Sequence, residues 1–177
     1  MRRCLTAISL LLLLAMGSTA LAAKPERVKP PKPTAGADHL VGTPGPDSIN
    51  GRAGDDEIEG GEGDDTLKGG PGLDKLFGGA GNDKLNCGPG DDVLTGDTGN
   101  DVLVGGAGVD TMLGGAGNDR IDATGGAKDV VAGGDGNDVI TSRDRVADRI
   151  TCGPGRDRVT AERKDRVARD CEVVRRG

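Results

Sequence analysis

Residues 60–86 read Gly60-Gly61-Glu62-Gly63-Asp64-Asp65-Thr66-Leu67-Lys68, then Gly69-Gly70-Pro71-Gly72-Leu73-Asp74-Lys75-Leu76-Phe77, then Gly78-Gly79-Ala80-Gly81-Asn82-Asp83-Lys84-Leu85-Asn86. Each nine-residue unit has glycine at positions one, two and four, aspartate at six and leucine at eight. The pattern extends outward in both directions. From Gly42 to Asp122 the chain divides into nine such units, beginning at Gly42, Gly51, Gly60, Gly69, Gly78, Cys87, Gly96, Gly105 and Gly114. Position four is glycine and position six aspartate in all nine. Position eight is always apolar: Ile49, Ile58, Leu67, Leu76, Leu85, Leu94, Leu103, Met112 and Ile121. Self-similarity at a fixed period is the signature of a solenoid rather than of a compact globule. Composition agrees, because 33 of 177 residues are Gly and the only aromatic is Phe77.

Each position has a physical task. The glycines permit positive φ and close backbone approach, which a tight turn needs. One apolar residue between polar neighbours suits a three-residue strand with a single side chain turned inward. One unit then makes half a coil and two make a full coil, so residues 18 apart stack at a spacing of about 4.8 Å. The expected class is all-β, with two parallel sheets facing each other and turns down both sides. The sixth-position aspartates fall into two columns, Asp47, Asp65, Asp83, Asp101 and Asp119 on one side and Asp56, Asp74, Asp92 and Asp110 on the other. Bare carboxylates at that spacing repel, so a cation is expected between them. Carboxylates and turn carbonyls form a flexible all-oxygen cage, which suits Ca²⁺ better than Mg²⁺, whereas Zn²⁺ favours His or Cys. The core is one side chain wide, so folding is expected to depend on the ion.

These residues resemble the RTX (haemolysin-type) calcium-binding nonapeptide repeat family, whose pattern is Gly-Gly-x-Gly-x-Asp-x-apolar-x. The units at 60–68 and 78–86 match it in full, and the resemblance covers about 130 residues. It implies a right-handed parallel β-roll, a β-helix solenoid of about seven coils with two nonapeptides per coil. It also implies that Ca²⁺ lies between neighbouring turns, with each sixth-position Asp as a ligand helped by turn carbonyls. Thr43, Arg52 and Asp97 depart from glycine at position two but still offer a carbonyl. The resemblance does not imply a toxin.

After Asp122 the units continue as 124–132, 133–141, 143–151 and 152–160, with Ala123 and Ser142 read as insertions that lengthen a coil to 19 residues. Gly133–Asp138 and Cys152–Asp157 keep the turn pattern. The turns ending at Asp129 and Asp148 lose the fourth-position glycine to Ala127 and Val146. Intact and altered turns alternate, so the intact ones share one side. One metal column is therefore expected to run on through Asp138 to Asp157, while the other ends near Asp110. Asp129, Asp148 and Asp165 are read as structural or solvated. The predicted ligand set is Asp47, Asp56, Asp65, Asp74, Asp83, Asp92, Asp101, Asp110, Asp119, Asp138 and Asp157. Cys152 and Cys171 should stack one coil apart, within disulfide reach. Cys87 is read as a free thiol or an intermolecular link.

The flanks differ in composition. Met1-Arg2-Arg3 followed by an apolar run to Met16 and the small residues around Ala22 has the layout of a secretory signal peptide over 1–22. A secreted protein is expected. Residues 23–41, with Pro25, Pro30, Pro31 and Pro33 among lysines, read as an extended linker carrying the lone His39 as a solvated residue. The β-roll is assigned to 42–160 and a mixed-charge C-terminal cap to 161–177. Between Gly42 and Asp122 five basic residues face seventeen acidic ones, a net charge of −12. Such a surface repels nucleic acid and anionic lipid and attracts cations.

No catalytic set is legible. Ser48 and Ser142 are the only serines after the leader, and no Gly-x-Ser-x-Gly elbow or His-Glu-x-x-His motif occurs. The adjacent acids, such as Asp55 and Asp56, recur with the repeat and so belong to turns rather than to an acid–base pair. A non-enzymatic, monomeric Ca²⁺-binding protein is the reading. The alternative is a Ca²⁺-gated extracellular adhesion or scaffold protein. It would dock a protein or cell-wall partner on the outward Phe77, Val93, Thr95, Thr111 and Leu113, or on Val102 and Val104 of the other sheet.

Overall fold

The fold is taken from a computed structural model that describes residues 32–176. The leader read at 1–22 and most of the linker lie outside the described residues. The strands run in chain order as β1 (His39–Val41), β2 (Ser48–Asn50), β3 (Glu57–Glu62), β4 (Thr66–Lys68), β5 (Lys75–Ala80), β6 (Lys84–Pro89), β7 (Val93–Thr98) and β8 (Val102–Ala107). They continue as β9 (Thr111–Ala116), β10 (Arg120–Asp122), β11 (Val130–Asp135), β12 (Val139–Ser142), β13 (Arg149–Thr151), β14 (Arg158–Ala161), β15 (Arg166–Val167) and β16 (Val173–Arg176). Odd-numbered strands form one eight-stranded sheet and even-numbered strands the other, each strand hydrogen-bonded to the one two places along the chain. Every pairing is parallel, as in β3 with β5 (Ile58↔Leu76) and β4 with β6 (Leu67↔Leu85). This is a parallel β-solenoid with two repeats per coil, eight strands deep, and it accords with the β-roll expected from the repeat.

Position eight points inward throughout. Leu40, Ile58, Leu67, Leu76, Leu94, Leu103, Ile140, Ile150 and Val159 are at most 1 % exposed. The core is a file of single apolar side chains, each stacked on its equivalent one coil away. Seven strands are six residues long rather than three, because positions one to three of the following unit go on pairing, as in Gly61↔Gly79.

Three boundaries differ from the sequence reading. β1 lies inside the stretch 23–41 read as linker, and its Leu40 is buried in the core. Asp38 precedes it as an additional sixth-position residue, and His39 is exposed with Nε2 3.2 Å from Glu59 Oε1. Further on, the offset between paired strands changes from 18 to 19 residues, as in Val130↔Thr111 and Val139↔Arg120. However, Asp122 pairs with Val104 and with Thr141, and Ser142 pairs with Ala161. Ala123 and Ser142 therefore occupy position one beside Gly105, and the extra residue sits in the turn that follows. A residue inserted within a strand would turn every later side chain over, whereas a turn absorbs it without disturbing the core. In the last coil the offset falls to 17 residues in one sheet, Arg166↔Arg149, and to 15 in the other, Val173↔Arg158.

Candidate metal centre

The chain crosses from the odd-numbered to the even-numbered sheet through a first column of turns carrying Asp47, Asp65, Asp83, Asp101, Asp119, Asp138 and Asp157. It returns through a second column carrying Asp56, Asp74, Asp92, Asp110, Asp129, Asp148 and Asp165. Within each column every aspartate lends Oδ1 to the backbone N–H of the aspartate one coil earlier. Asp65 N donates to Asp83 Oδ1 at 2.7 Å and Asp83 N to Asp101 Oδ1 at 2.8 Å. In the second column Asp74 N donates to Asp92 Oδ1 at 2.8 Å and Asp92 N to Asp110 Oδ1 at 3.0 Å. These charge-assisted bonds hold the carboxylates in register and satisfy a backbone donor in every turn.

The other oxygen is left without a partner. Oδ2 is buried and unbonded in Asp56, Asp65, Asp74, Asp83, Asp92, Asp101, Asp110, Asp119, Asp129, Asp138 and Asp157. Buried polar atoms are normally satisfied, and a column of charged ones is costly. In eight of the eleven the Oδ2 faces the empty side of a position-one glycine, while Cys87, Ala123 and Cys152 hold that position before Asp92, Asp129 and Asp157. A Cβ added to Gly78 would come within 2.5 Å of Asp83 Oδ2 and 2.7 Å of the Gly96 carbonyl oxygen, which belongs to the next coil. The space that glycine leaves open is thus lined by a carboxylate oxygen and a carbonyl oxygen. Burial raises the carboxyl pKa values, to about 6 for Asp65, Asp92, Asp101 and Asp138 and about 7 for Asp129. The donated N–H pulls each back down, and neighbouring aspartates push it up again. The orphaned anionic oxygens, the carbonyls and the lack of soft ligands fit a hard cation with irregular oxygen coordination, which is Ca²⁺.

Ten of the eleven predicted ligands carry such an orphaned oxygen. Asp47 does not: it is half-buried, and its Oδ2 accepts from Thr43 N at 2.6 Å and Thr43 Oγ1 at 2.9 Å. Thr34 does the same one half-coil earlier, donating to Asp38 Oδ2 from N at 2.6 Å and Oγ1 at 3.0 Å. A hydroxyl at position two thus occupies the free oxygen at the start of both columns. Asp129 is the residue that the sequence reading left out. It is 0 % exposed, it lends Oδ1 to Asp110 N at 2.9 Å, and its Oδ2 is unpartnered. The missing fourth-position glycine hid it, although its sixth-position spacing was visible once the extra turn residue is allowed for. Asp148 and Asp165 carry no orphaned oxygen: Ser142 Oγ donates to Oδ2 of Asp148, and Glu162 N donates to Oδ2 of Asp165 at 2.5 Å.

Two cysteine expectations meet the structure differently. Cys152 and Cys171 are joined, with Cα atoms 5.2 Å apart. Cys87 is unpaired among the described residues and 1 % exposed, out of reach of another chain, so the free-thiol alternative is the one observed. Burial raises its thiol pKa well above the usual range, and Asp92, Asp74 and Asp110 add to the rise.

An outer ladder had no place in the sequence reading. Asn100 gives N and Nδ2 to Asn82 Oδ1, both at 3.0 Å, and Asn118 gives both to Asn100 Oδ1 at 2.9 Å. Asn137 continues it, and Asp64 starts it by accepting from Asn82. Its signal was the recurrence of asparagine at position five of the first-column turns alone.

The sequence model of the RTX calcium-binding nonapeptide repeat matches the chain in four copies, at residues 34–67, 59–94, 88–121 and 123–144. These segments cover more than half of the chain. No curated protein sequence matches it.

Proposed function

The chain belongs to the RTX calcium-binding nonapeptide repeat family, and from that premise we propose that it is a secreted, non-enzymatic Ca²⁺-binding β-roll whose folding depends on the ion. One observation carries the reading, the eleven buried Oδ2 atoms without a partner. A chain that aligns so many anionic oxygens along a core one side chain wide needs positive charge to hold it together. Of the predicted set, Asp56, Asp65, Asp74, Asp83, Asp92, Asp101, Asp110, Asp119, Asp138 and Asp157 would hold Ca²⁺ through Oδ2, joined by carbonyls of the next coil. Asp47 is left to cap the column. Secretion rests on the leader pattern at 1–22, with the linker following it. The acidic middle of the roll argues against a nucleic-acid or anionic-membrane partner, and we take the protein to be a monomer.

Circular dichroism of the purified protein with excess Ca²⁺ and after chelation tests the reading, together with calorimetric titration. Strand signal that appears with Ca²⁺, and heat on its addition, is the expected result. Unchanged strand content and no heat would overturn it. A second reading, a Ca²⁺-gated adhesion or scaffold protein, is favoured by one surface. Val93, Leu113 and Val130 are 37 %, 42 % and 43 % exposed on three neighbouring strands of the odd-numbered sheet, with Thr111 between the two valines. Capture of an extracellular partner that requires Ca²⁺ and is lost in Val93→Lys would support it.

A further inference from the structure

We propose that the second column holds a cation one coil past its last glycine-rich turn, between Asp129, Asp144 and Asp148. The proposal deepens the calcium-binding reading and rests on it. One ligand oxygen from each of the three carboxylates lies within 4.8 Å of the others. Acidic residues often gather on surfaces without a ligand, but here two of the three are buried and Asp144 is half-buried. Asp129 is 0 % and Asp148 1 % exposed, and Asp129 Oδ2 is buried with no hydrogen-bond partner.

The surroundings leave the charge unanswered. Lys128, Arg143, Arg145 and Arg149 are close in sequence, yet none of them comes within salt-bridge distance of a carboxylate among the described residues. Lys164 reaches the neighbourhood but donates its Nζ to the Arg145 carbonyl at 3.4 Å. The carboxylates are also held in place. Asp144 takes Gly126 N on Oδ2 at 2.6 Å and Val146 N on Oδ1 at 2.8 Å, so it ties one turn to the next. Asp148 takes Asp129 N on Oδ1 at 2.9 Å, and Ser142 Oγ on Oδ2.

The chemistry differs from that of the regular turns. There, a glycine at position one leaves the space and the next coil supplies a carbonyl. Here Ala123 stands at position one and Ala127 replaces the fourth-position glycine, while Asp144 brings a third carboxylate from a turn lengthened by one residue. Three anionic oxygen ligands in an irregular arrangement suit a hard divalent cation of the calcium class, or a trivalent lanthanide in its place. Asp129 carries the last orphaned oxygen of the column, since Ser142 Oγ steadies Asp148 Oδ2 beside it and Glu162 N takes Asp165 Oδ2 one coil on.

Native mass spectrometry of the full chain, at the Ca²⁺ concentration that just saturates the wild type, gives the test. Asp144→Asn is expected to hold one ion fewer. Asp55→Asn is the control: Asp55 is exposed and accepts Leu73 N at 2.9 Å in a regular turn, so it removes an equivalent charge and is expected to leave the count unchanged. Equal counts in Asp144→Asn and the wild type would overturn the proposal. A test on the wild type alone does not depend on the variant folding. Crystals grown with Tb³⁺ should show an anomalous peak among the three carboxylates. Peaks at regular turns with none here would sink this site alone, and no peak anywhere would sink the calcium-binding reading itself.

Discussion

The two columns of turns begin alike and end differently. In the first column the unpartnered Oδ2 recurs without a break from Asp65 to Asp157. In the second it recurs from Asp56 to Asp129 and then stops, because Ser142 donates its hydroxyl to Asp148 and Glu162 its backbone N–H to Asp165. Both columns start with an aspartate whose free oxygen is taken by a threonine, Thr34 for Asp38 and Thr43 for Asp47. The lesson is that the aspartate alone does not make a cation site. It is present in every turn, and a neighbouring donor, a hydroxyl or a backbone N–H, decides whether its second oxygen is left bare. A hydroxyl satisfies one oxygen with a single donated proton, without bringing a charge that would need to be balanced.

Removing the ion should separate the regions most strongly. After chelation the strand signal is expected to fall by more than half. Amide exchange should speed up across 56–122, where the charges are uncompensated. Residues 158–171 should lose least, since no orphaned carboxylate oxygen lies among them and the Cys152–Cys171 bridge ties the last coil. Uniform exchange along the whole solenoid would break the comparison.

Acid should act in opposite directions with and without Ca²⁺. Burial holds Asp65, Asp92, Asp101 and Asp138 at about 6 and Asp129 at about 7, against an ordinary 3.8. The metal-free fold binds more protons than the unfolded chain between those values, so its stability rises as pH falls from about 7 to about 4. Protonation competes with the cation, so Ca²⁺ affinity falls over the same range. Thermal denaturation at pH 7.5 and 4.5, each with Ca²⁺ and with chelator, reads both signs. A chelated protein that gains nothing at pH 4.5 would contradict the burial argument.

Single substitutions come next in size. Gly78→Ala puts a methyl against Asp83 Oδ2 and the Gly96 carbonyl. It is expected to cost about 1–3 kcal/mol by overpacking and to remove one ion from the native mass count. Ser142→Ala strands the buried Oδ2 of Asp148, while Asp165 Oδ2 keeps the Glu162 N–H, and it is expected to cost about 1–3 kcal/mol in chelator, measured by urea denaturation. If Ser142→Ala were neutral, the hydroxyl would not be what closes the second column. The smallest effect should come from the exposed asparagine ladder, which only the first column possesses. Asn100→Ala removes three exposed hydrogen bonds and is expected to cost about 0.5–1.5 kcal/mol, with the ion count unchanged.

Much of this was legible in the residues themselves. The period of nine, the inward position eight and the sixth-position aspartates led to the strands, the core and ten of the eleven orphaned oxygens. The Cys152–Cys171 pairing followed from stacking. What escaped were features that depend on which residue lies beside which one coil away. Leu40 was assigned to a linker because a single half-coil carries no visible period. Ala123 and Ser142 were taken for insertions because no sequence rule tells a strand from the turn after it when the glycines are lost.

Sequence alone determined the architecture, since a short repeat of glycine, aspartate and one apolar residue admits only a stack of identical turns with a file of side chains inside. The tertiary structure decided which carboxylates are spare. That depends on contacts between Ser142 and Asp165, or Asp144 and Gly126, which are 23 and 18 residues apart. Such contacts arise from the register of neighbouring coils, and one additional residue in a turn resets that register without altering the repeat pattern on either side.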